Sequence, residues 1–492
     1  MFNLIKPFNI ILACDTYKFD HHYEYPKDTK KLYSVIVPRK PSKHAKRIVA
    51  MGQTFVAALL GKVRIEEWMI DEAEIEINQQ GYEFNREGWE IICRELDGKL
   101  PVAIYAVEEG RVVKPQTPIL GIINTDDRFA WLVSYLETWV QEMVWKMSTV
   151  ASHSRVAREL FVKYMTITGA DMSFLNYKYH NFGDRGADSP HESPIMAGIA
   201  HAALFDGSDC ARANGYIKSL YKTAKSYTSS VVATEHSVMC SHSDAEKRDD
   251  FGAAKMAVER LYEVVDRTKN GIGIPLMSVV IDTYDSRRFV KEYMGGIFKD
   301  AIIKSGGKMV MRPDSGKLTE EPVQVARDLD ATFGSTVNAK GFKVLHPSVG
   351  IIQGDGIRID TLESLLQSFV DAGFSIDNLV TGAGAGITHE GGRDDFSFSM
   401  KAVARYDGNN WIRLLKEPKT DLGKKSLTGL VRCYEDDAGE LQVSDYLDES
   451  LYPTEGFLRS SPGWRMWYEN GHQTYSQTFD SVQKYAREGL QF

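Results

Sequence analysis

MVMRPDSGKLTEEPVQVARDLDATF, Met309–Phe333, reads as one complete βα unit. Its first residues are a short apolar run closed by a polar turn, and Val323, Ala326, Leu329 and Phe333 then recur at helical spacing. Thr319 is the expected N-cap, with Glu320, Glu321 and Pro322 in the first turn, where acidic side chains and proline suit a helix N-terminus. Three more stretches repeat the pattern: SVVIDTYD (Ser278–Asp285), VGIIQGDG (Val349–Gly356) and LVTGAGAG (Leu379–Gly386). After the first, Asp285 can cap a helix that aligns Phe289, Val290, Tyr293 and Met294. After the second, Asp360 and Glu363 make a capping-box pattern ahead of Leu362, Leu365, Leu366, Phe369 and Val370. The polar strand ends recur roughly 30–40 residues apart, which is the length of a βα unit. Parallel α/β sheets gather their chemistry at the C-terminal ends of strands. Asp282, Arg312, Asp314, Gly354, Asp355 and Gly384 are therefore expected around one pocket of a barrel or a doubly wound sheet.

Outside this cadence, which spans about 175 to 395, the pattern changes. KLYSVIVPRK (Lys31–Lys40) reads as a strand ending in a basic pair, and Arg128–Trp145 as a helix buried nearly all round. Ser148 reads as the N-cap of a further helix carrying Val156, Leu160, Phe161 and Tyr164. The apolar N-terminal run MFNLIKPFNIILAC reads as a buried strand, since it has neither the cleavage site of a signal peptide nor the length of a membrane span. Val403–Leu415 reads as a hairpin turning at Asp407–Asn410, followed by a basic loop, Lys416–Ser426, then short strands and a helix near Ser481–Gly489. The expected organisation is a barrel-like domain over 151–399 and a second α/β domain built from 1–150 together with 400–492.

The chain has 492 residues, too many for one ordinary core, and its 43% hydrophobic and 26% charged content is that of a globular protein. A net charge of −8 argues against a nucleic-acid or anionic-membrane surface, though not against a small anion held by a local positive cluster. Five scattered cysteines without a C-x-x-C pair fit a reducing cytoplasmic compartment.

Among the motifs, no P-loop is present, because GKKS (Gly423–Ser426) lacks the upstream glycine. No H-E-x-x-H supports a zinc hydrolase, and no strand-end lysine supports a Schiff-base aldolase. Glycine turns that cradle phosphate, an arginine that grips it and aspartates that hold ribose hydroxyls or Mg²⁺ together suit a phosphorylated sugar. In HNFGDRG (His180–Gly186), an aromatic face and a guanidinium could take a flat ring, and an ordinary turn explains the same residues equally well. His236, in ATEHS, could act as acid, base or phosphoryl acceptor, while a lone histidine is more often structural.

Taken together, ACDTYKFDHHYEYP, HNFGDRG, ATEHS, SVVIDTYD, RPDSG, IQGDG and TGAGAG, in this order from about Asn9 to Gln477, resemble the nicotinamide phosphoribosyltransferases, of the type II phosphoribosyltransferase family. The resemblance implies an irregular α/β barrel with a second α/β domain from both chain ends, in a head-to-tail homodimer with active sites at the interface. It implies conversion of nicotinamide and phosphoribosyl pyrophosphate into nicotinamide mononucleotide and pyrophosphate, in NAD salvage, with Mg²⁺ on the pyrophosphate and ATP as co-substrate. By the same resemblance Phe182 stacks on the pyridine, Tyr17 of the other subunit covers its second face, and Arg185 and Asp209 recognise the amide. Ser278, Arg312, Gly354, Asp355, Gly384 and Ala385 hold the ribose phosphate, and Arg39, Arg393, Lys401, Lys416 and Lys424 form the cationic shell. Asp282, Asp314 and His236 are the expected catalytic set, His236 as the residue phosphorylated by ATP. The metal ligands are left open.

Three positions depart from the family pattern. Ala385 replaces a glycine, Asp184 stands where a vertebrate-type member has tyrosine, and the loop after Lys416 is short, leaving Lys424 and Lys425 as alternatives. Asp209 carries its own argument: a carboxylate accepts a hydrogen bond from an amide NH₂ and repels a carboxylate, favouring nicotinamide over nicotinate. The competing readings are a nicotinate phosphoribosyltransferase, a phosphate-binding barrel lyase or isomerase, and a non-catalytic nucleotide sensor.

Overall fold

Lys31–Val37, buried along nearly its whole length, lies centrally in a seven-stranded antiparallel sheet of this computed structural model, which describes residues 6–447 and 460–490. The strands run in the order Trp411–Arg413, Ser399–Tyr406, Lys31–Val37, Leu120–Asn124, Val102–Ala106, Arg465–Glu469 and His472–Gln473. Val35 pairs with Lys401 on one side and Gly121 on the other, so the two chain ends interleave in one sheet. This is the second domain anticipated from both ends of the chain.

The other main sheet is parallel. Its strands are Tyr179–Asn181, Leu379–Ala383, Val349–Gln353, Lys308–Arg312, Leu276–Val280 and Val232–Ala233, in that spatial order. Single parallel bridges join Asn181 to Ser208 and Gly207 to Ser229. The 207–208 segment thus fills the gap between the first strand and the stretch leading into Val232, and the sheet curls into an irregular α/β barrel. Going round it follows the order of the chain, as consecutive right-handed βα units require. All four quoted runs are barrel strands, and their polar ends share one rim.

Several local expectations are corrected. Ile10–Leu12 is a single 3₁₀ turn, because the Asn9 side chain accepts the Ile11 N–H (3.0 Å) and bends the backbone out of an extended path. Ile10 and Ile11 are buried all the same, while residues 1–5 of that run lie outside the described residues. Ser148 is no N-cap: it sits inside one long helix, Glu137–Thr168. Its hydroxyl instead serves the backbone of Met51, accepting from N–H and donating to C=O, both at 3.1 Å. That helix touches both sheets' surroundings, since Ser152 accepts the Val49 N–H and Arg158 donates to the Leu204 carbonyl.

The helix after Asp314 is Glu321–Phe333, with Glu320 rather than Thr319 at the N-cap position. In the next unit the helix begins at Ile359, and Thr361, not Glu363, closes its first turn by accepting the Arg358 N–H (3.0 Å). Asp285 does cap its helix, accepting the N–H groups of Arg287 and Arg288. The continuation, Phe289–Ile297, opens into wider π-type turns while keeping Phe289, Val290, Tyr293 and Met294 buried. The hairpin of Ser399–Tyr406 and Trp411–Arg413 is as read, and the final helix is Phe479–Ala486. Among the described residues no helix is long and apolar enough to cross a membrane.

Candidate active site

At the barrel rim, Asp282 follows its strand directly and is almost buried. One carboxylate oxygen accepts the Asp314 N–H (3.1 Å) and the Ser315 hydroxyl; the other lies 3.2 Å from His236 Nε2. His236 Nδ1 stands 3.8 Å from Asp314, and Arg312 Nη2 donates to that same aspartate (2.9 Å). Four residues predicted from three separate motifs thus form one connected web. His236 opens a short helix and remains about half exposed (46%), so one face of the imidazole is open to a ligand.

Arg312 links this web to the base loop. Its guanidinium carbon lies 5.5 Å from the Phe182 ring centroid, within cation–π range. Its Nε is a buried donor without a hydrogen-bond partner. Gly354 is beside it: a β-carbon there would come within 3.2 Å of Arg312 Nε. Phe182 lies over Gly382, where any side chain would collide with its ring. The Phe182 N–H donates to the Ala383 carbonyl (2.8 Å), fixing the aromatic beside the glycine-rich turn. Gly384 precedes the one-turn helix Ala385–Thr388, and Ala385 is tolerated because its methyl faces Gly186, which has no side chain to oppose it. Asp355 is exposed, its loop fixed by Gln353 Nε2 donating to the Asp355 carbonyl (2.9 Å).

Asp209 joins the base loop through its N–H, which donates to the Asn181 carbonyl (2.9 Å), and its carboxylate accepts the Ser230 hydroxyl. Buried His180 lies next to Phe182 (centroids 5.9 Å apart), and burial lowers its imidazole below the ordinary value, with Asp209 opposing. Arg185 is exposed and has no hydrogen-bond or ion-pair partner among the described residues. Ser278 is buried in its strand, with its carbonyl accepting the Thr234 N–H (3.1 Å).

The remaining predicted residues gather elsewhere. Tyr17, 57% exposed on the turn Thr16–Lys18, has ring contacts with His21 and Lys18 and none with a barrel residue among the described residues. Arg39 Nε donates to the Ser397 carbonyl (3.0 Å), and Arg39 and Lys401 line a small cavity with Gln116, Ser399 and Lys425. Lys401 lies 3.8 Å from Glu137, which also holds Lys18 (2.6 Å). Burial, then the positive charges of Lys416, Lys18 and Arg39, lower the Lys401 ammonium below its ordinary value against the pull of Glu137. Lys424 turns to Asp421 (3.3 Å), so Lys425 and not Lys424 reaches the cavity wall, although its ammonium also pairs with Glu417 (2.7 Å). Arg393 pairs with its neighbour Asp394 (2.9 Å). No hydrogen bond, ion pair or ring contact among the described residues joins this group to the barrel web.

Sequence reasoning missed Ser315, Ser230 and Gln353, each of which orients a predicted residue. Ser315 was readable inside RPDSG, whereas Ser230 has no local motif. Among the described residues no group of three or more His, Cys, Asp or Glu side chains is arranged to hold a metal ion.

The profile of the nicotinate phosphoribosyltransferase family matches residues 177–451, and that of the nicotinamide phosphoribosyltransferase N-terminal domain matches residues 9–104. A nicotinamide phosphoribosyltransferase of Xanthomonas campestris is 32% identical over 97% of this chain and 98% of the relative. One of Acinetobacter baylyi is 30% identical over 99% and 98%. Among solved structures, nicotinate-nucleotide pyrophosphorylase from Pyrococcus furiosus aligns with a TM-score of 0.60 at 15% identity, covering 98% of this chain and 95% of that one. Human nicotinic acid phosphoribosyltransferase aligns at 0.56 and 16%, covering 97% and 93%. At such identities the two structures speak for the fold alone.

Proposed function

This chain belongs to the nicotinate phosphoribosyltransferase family, and we propose that within it the protein forms nicotinamide mononucleotide and pyrophosphate from nicotinamide and phosphoribosyl pyrophosphate. It is a pentosyltransferase of NAD salvage. One observation favours nicotinamide over nicotinate: the Asp209 carboxylate, tied to the strand that bears Phe182. An amide NH₂ can donate to it, whereas a nicotinate carboxylate would bring a second negative charge.

The ring nitrogen attacks C1 of the ribose while the C1–pyrophosphate bond breaks, and the leaving group keeps the bonding electrons. Pyridine nitrogen carries no proton, so no general base is required at the attacking atom. The chain's task is to align ring and sugar and to favour the charges of the transition state. Phe182 supplies the stacking face, Arg312 and the Gly354 and Gly384 turns receive the sugar phosphate, and Asp314 lies where positive charge on the ribose is welcome. Asp282 spends both oxygens on His236, Ser315 and the Asp314 N–H, and Asp314 gives one to Arg312, so the exposed Asp355 is the proposed rim carboxylate for Mg²⁺. Bound there, the ion would neutralise charge on the leaving pyrophosphate.

The half-exposed His236, oriented by two aspartates, is the proposed phosphoryl acceptor from ATP. The exposed Tyr17 and the cationic group around Arg39 and Lys401 are proposed to complete the site of a second subunit, because a planar ring stacked on Phe182 has a second face for another aromatic side chain to cover.

Turnover with phosphoribosyl pyrophosphate, Mg²⁺ and either pyridine tests the reading: nicotinamide is the expected substrate, and use of nicotinate alone overturns it. His236→Ala is expected to abolish stimulation by ATP. For the shared site, Tyr17→Ala and Phe182→Ala variants should each be inactive alone; mixing them after dissociation should restore activity, and no recovery would refute sharing.

A further inference from the structure

Lys146, on the helix Glu137–Thr168, is buried (3% exposed) yet belongs to none of the motifs. Its ammonium pairs with Asp188, six residues beyond Phe182, and donates to the Thr388 carbonyl (2.6 Å) at the end of the helix that opens at Gly384. Asp188's second oxygen meets His389, adjacent to Thr388. The Thr388 hydroxyl donates to the Gly183 carbonyl (2.7 Å), and the Ser193 hydroxyl lies 3.5 Å from Asp188. Burial alone would raise the Asp188 carboxyl, but Lys146 and His389 hold it below the ordinary carboxylate value. Glu142, one turn before Lys146, is the other acid facing this ammonium, and burial raises its carboxyl, with Glu192 adding to the effect.

A buried lysine costs more than an apolar side chain of equal size unless its geometry is fully used. Here that geometry joins two loops that have different ligands. The loop from Phe182 to Asp188 carries the ring-stacking face, and the turn from Gly384 to Thr388 carries the phosphoribosyl side. Neither loop shares a strand end with the helix that bears Lys146, so the lysine is an external strut between them.

We propose that Lys146 is a positioning residue that sets the distance between the pyridine-stacking loop and the phosphoribosyl turn, without touching either ligand. The proposal rests on the phosphoribosyltransferase reading of the site. Loss of the strut leaves the Thr388–Gly183 and Phe182–Ala383 hydrogen bonds as the joint between the loops, and without its charged member the two bound partners shift out of line while each loop keeps its own. The penalty therefore falls on the step and on the molecule that span both loops, since alignment of reactants is worth orders of magnitude in effective concentration.

The test compares Lys146→Met with the parent protein, both checked for folded fraction and Tm. Expected are a kcat lowered by about tenfold to a hundredfold and nicotinamide mononucleotide bound about tenfold more weakly, with nicotinamide alone bound within about twofold of the parent. Asp188→Asn keeps acceptor atoms but removes the charge; it serves if Lys146→Met does not fold, and its expected split is the same but smaller. A purely structural role would lower Tm and leave the affinities of the folded protein unchanged. That result, or equal weakening of nicotinamide and its mononucleotide, overturns the proposal. If the parent itself neither binds the mononucleotide nor turns over nicotinamide, the functional reading fails instead.

Discussion

The barrel rim and the cationic group on the antiparallel sheet both collect charged side chains, but they treat charge in opposite ways. At the rim the charges of the central web are paired: Asp282 has His236, Ser315 and the Asp314 N–H, and Asp314 has Arg312. Such a web is ordered before any ligand arrives, which is what electrostatic preorganisation needs. Around Lys401 the positive charges of Lys416, Lys18 and Arg39 act against its ammonium, and one carboxylate, Glu137, is shared between Lys18 and Lys401. A positive excess that Glu137 offsets only in part favours the arrival of an anion. One region is built to orient a substrate, and the other to be discharged by one.

The largest effect should come from breaking the ordered region. Arg312→Ala removes the guanidinium beside Phe182 and leaves Asp314 without its ion pair. A fall in kcat/KM of about 10²–10³-fold is expected, as for loss of a charge-assisted contact to a transition state. Arg312→Lys should recover little of it, because an ammonium cannot reach Asp314 and a phosphate in the same plane. Steady-state kinetics on both variants decide the matter; a loss below about fivefold would mean that the web is structural only.

A smaller effect should come from changing the sign of one group at the base loop. Asp209→Asn keeps the shape and the Ser230 contact but removes the negative charge. The preference for nicotinamide over nicotinate, measured as a ratio of kcat/KM values, should fall by about tenfold to a hundredfold. An unchanged ratio would move base selection to another residue, with Arg185 the next to be examined.

These two regions were not equally legible in the sequence. The rim could be read because each of its residues ends a run whose period and turn chemistry are local: Asp282, Arg312, Asp355 and Gly384 announce themselves within about eight residues each. The antiparallel sheet could be read only in outline. Its pairings join Val35 to Lys401 and Ala103 to Glu469, partners that no local pattern connects. The same limit explains Ser148, which looks like a cap because serine favours caps, yet spends its hydroxyl on Met51. Lys146 and Asp188 were invisible for a related reason, since an ion pair across the fold leaves no spacing to detect. The choice between Lys424 and Lys425 depended on which side of a short 3₁₀ turn faces Arg39, a matter of fractions of a turn.

The comparison sharpens if the cationic region can be discharged without a ligand. Lys401→Met deletes one of the repelling charges. The KM for phosphoribosyl pyrophosphate should rise by about tenfold while the KM for nicotinamide stays within about twofold. Added salt should raise the first in the parent protein and hardly touch the second, because only the first depends on exposed charge. Thermal melting should show the variant equal to or more stable than the parent, since a repelled, partly buried ammonium has been removed. A variant that both melts lower and keeps its KM would show that Lys401 serves the fold and not an anion.

The smallest effect is a pH slope with a definite sign. Burial, followed by the neighbouring cations, lowers the Lys401 ammonium in the folded chain. Below that lowered value the folded state carries the full cost of the charge. As pH rises toward the ordinary lysine value the cost is relieved, so this residue adds stability to the free protein with rising pH. Binding runs the other way. A pyrophosphate group favours the charged ammonium, raises its pKa and takes up a proton on binding, so affinity falls as pH rises through the lowered value. The free protein should therefore gain stability over the same alkaline range in which it loses affinity for phosphoribosyl pyrophosphate. Lys401→Arg should flatten both slopes, because guanidinium stays charged throughout. Calorimetric titrations in buffers of different ionisation enthalpy measure the proton uptake directly. No uptake above neutral pH, in a parent that binds phosphoribosyl pyrophosphate, would place the lowered lysine outside the reach of the bound anion.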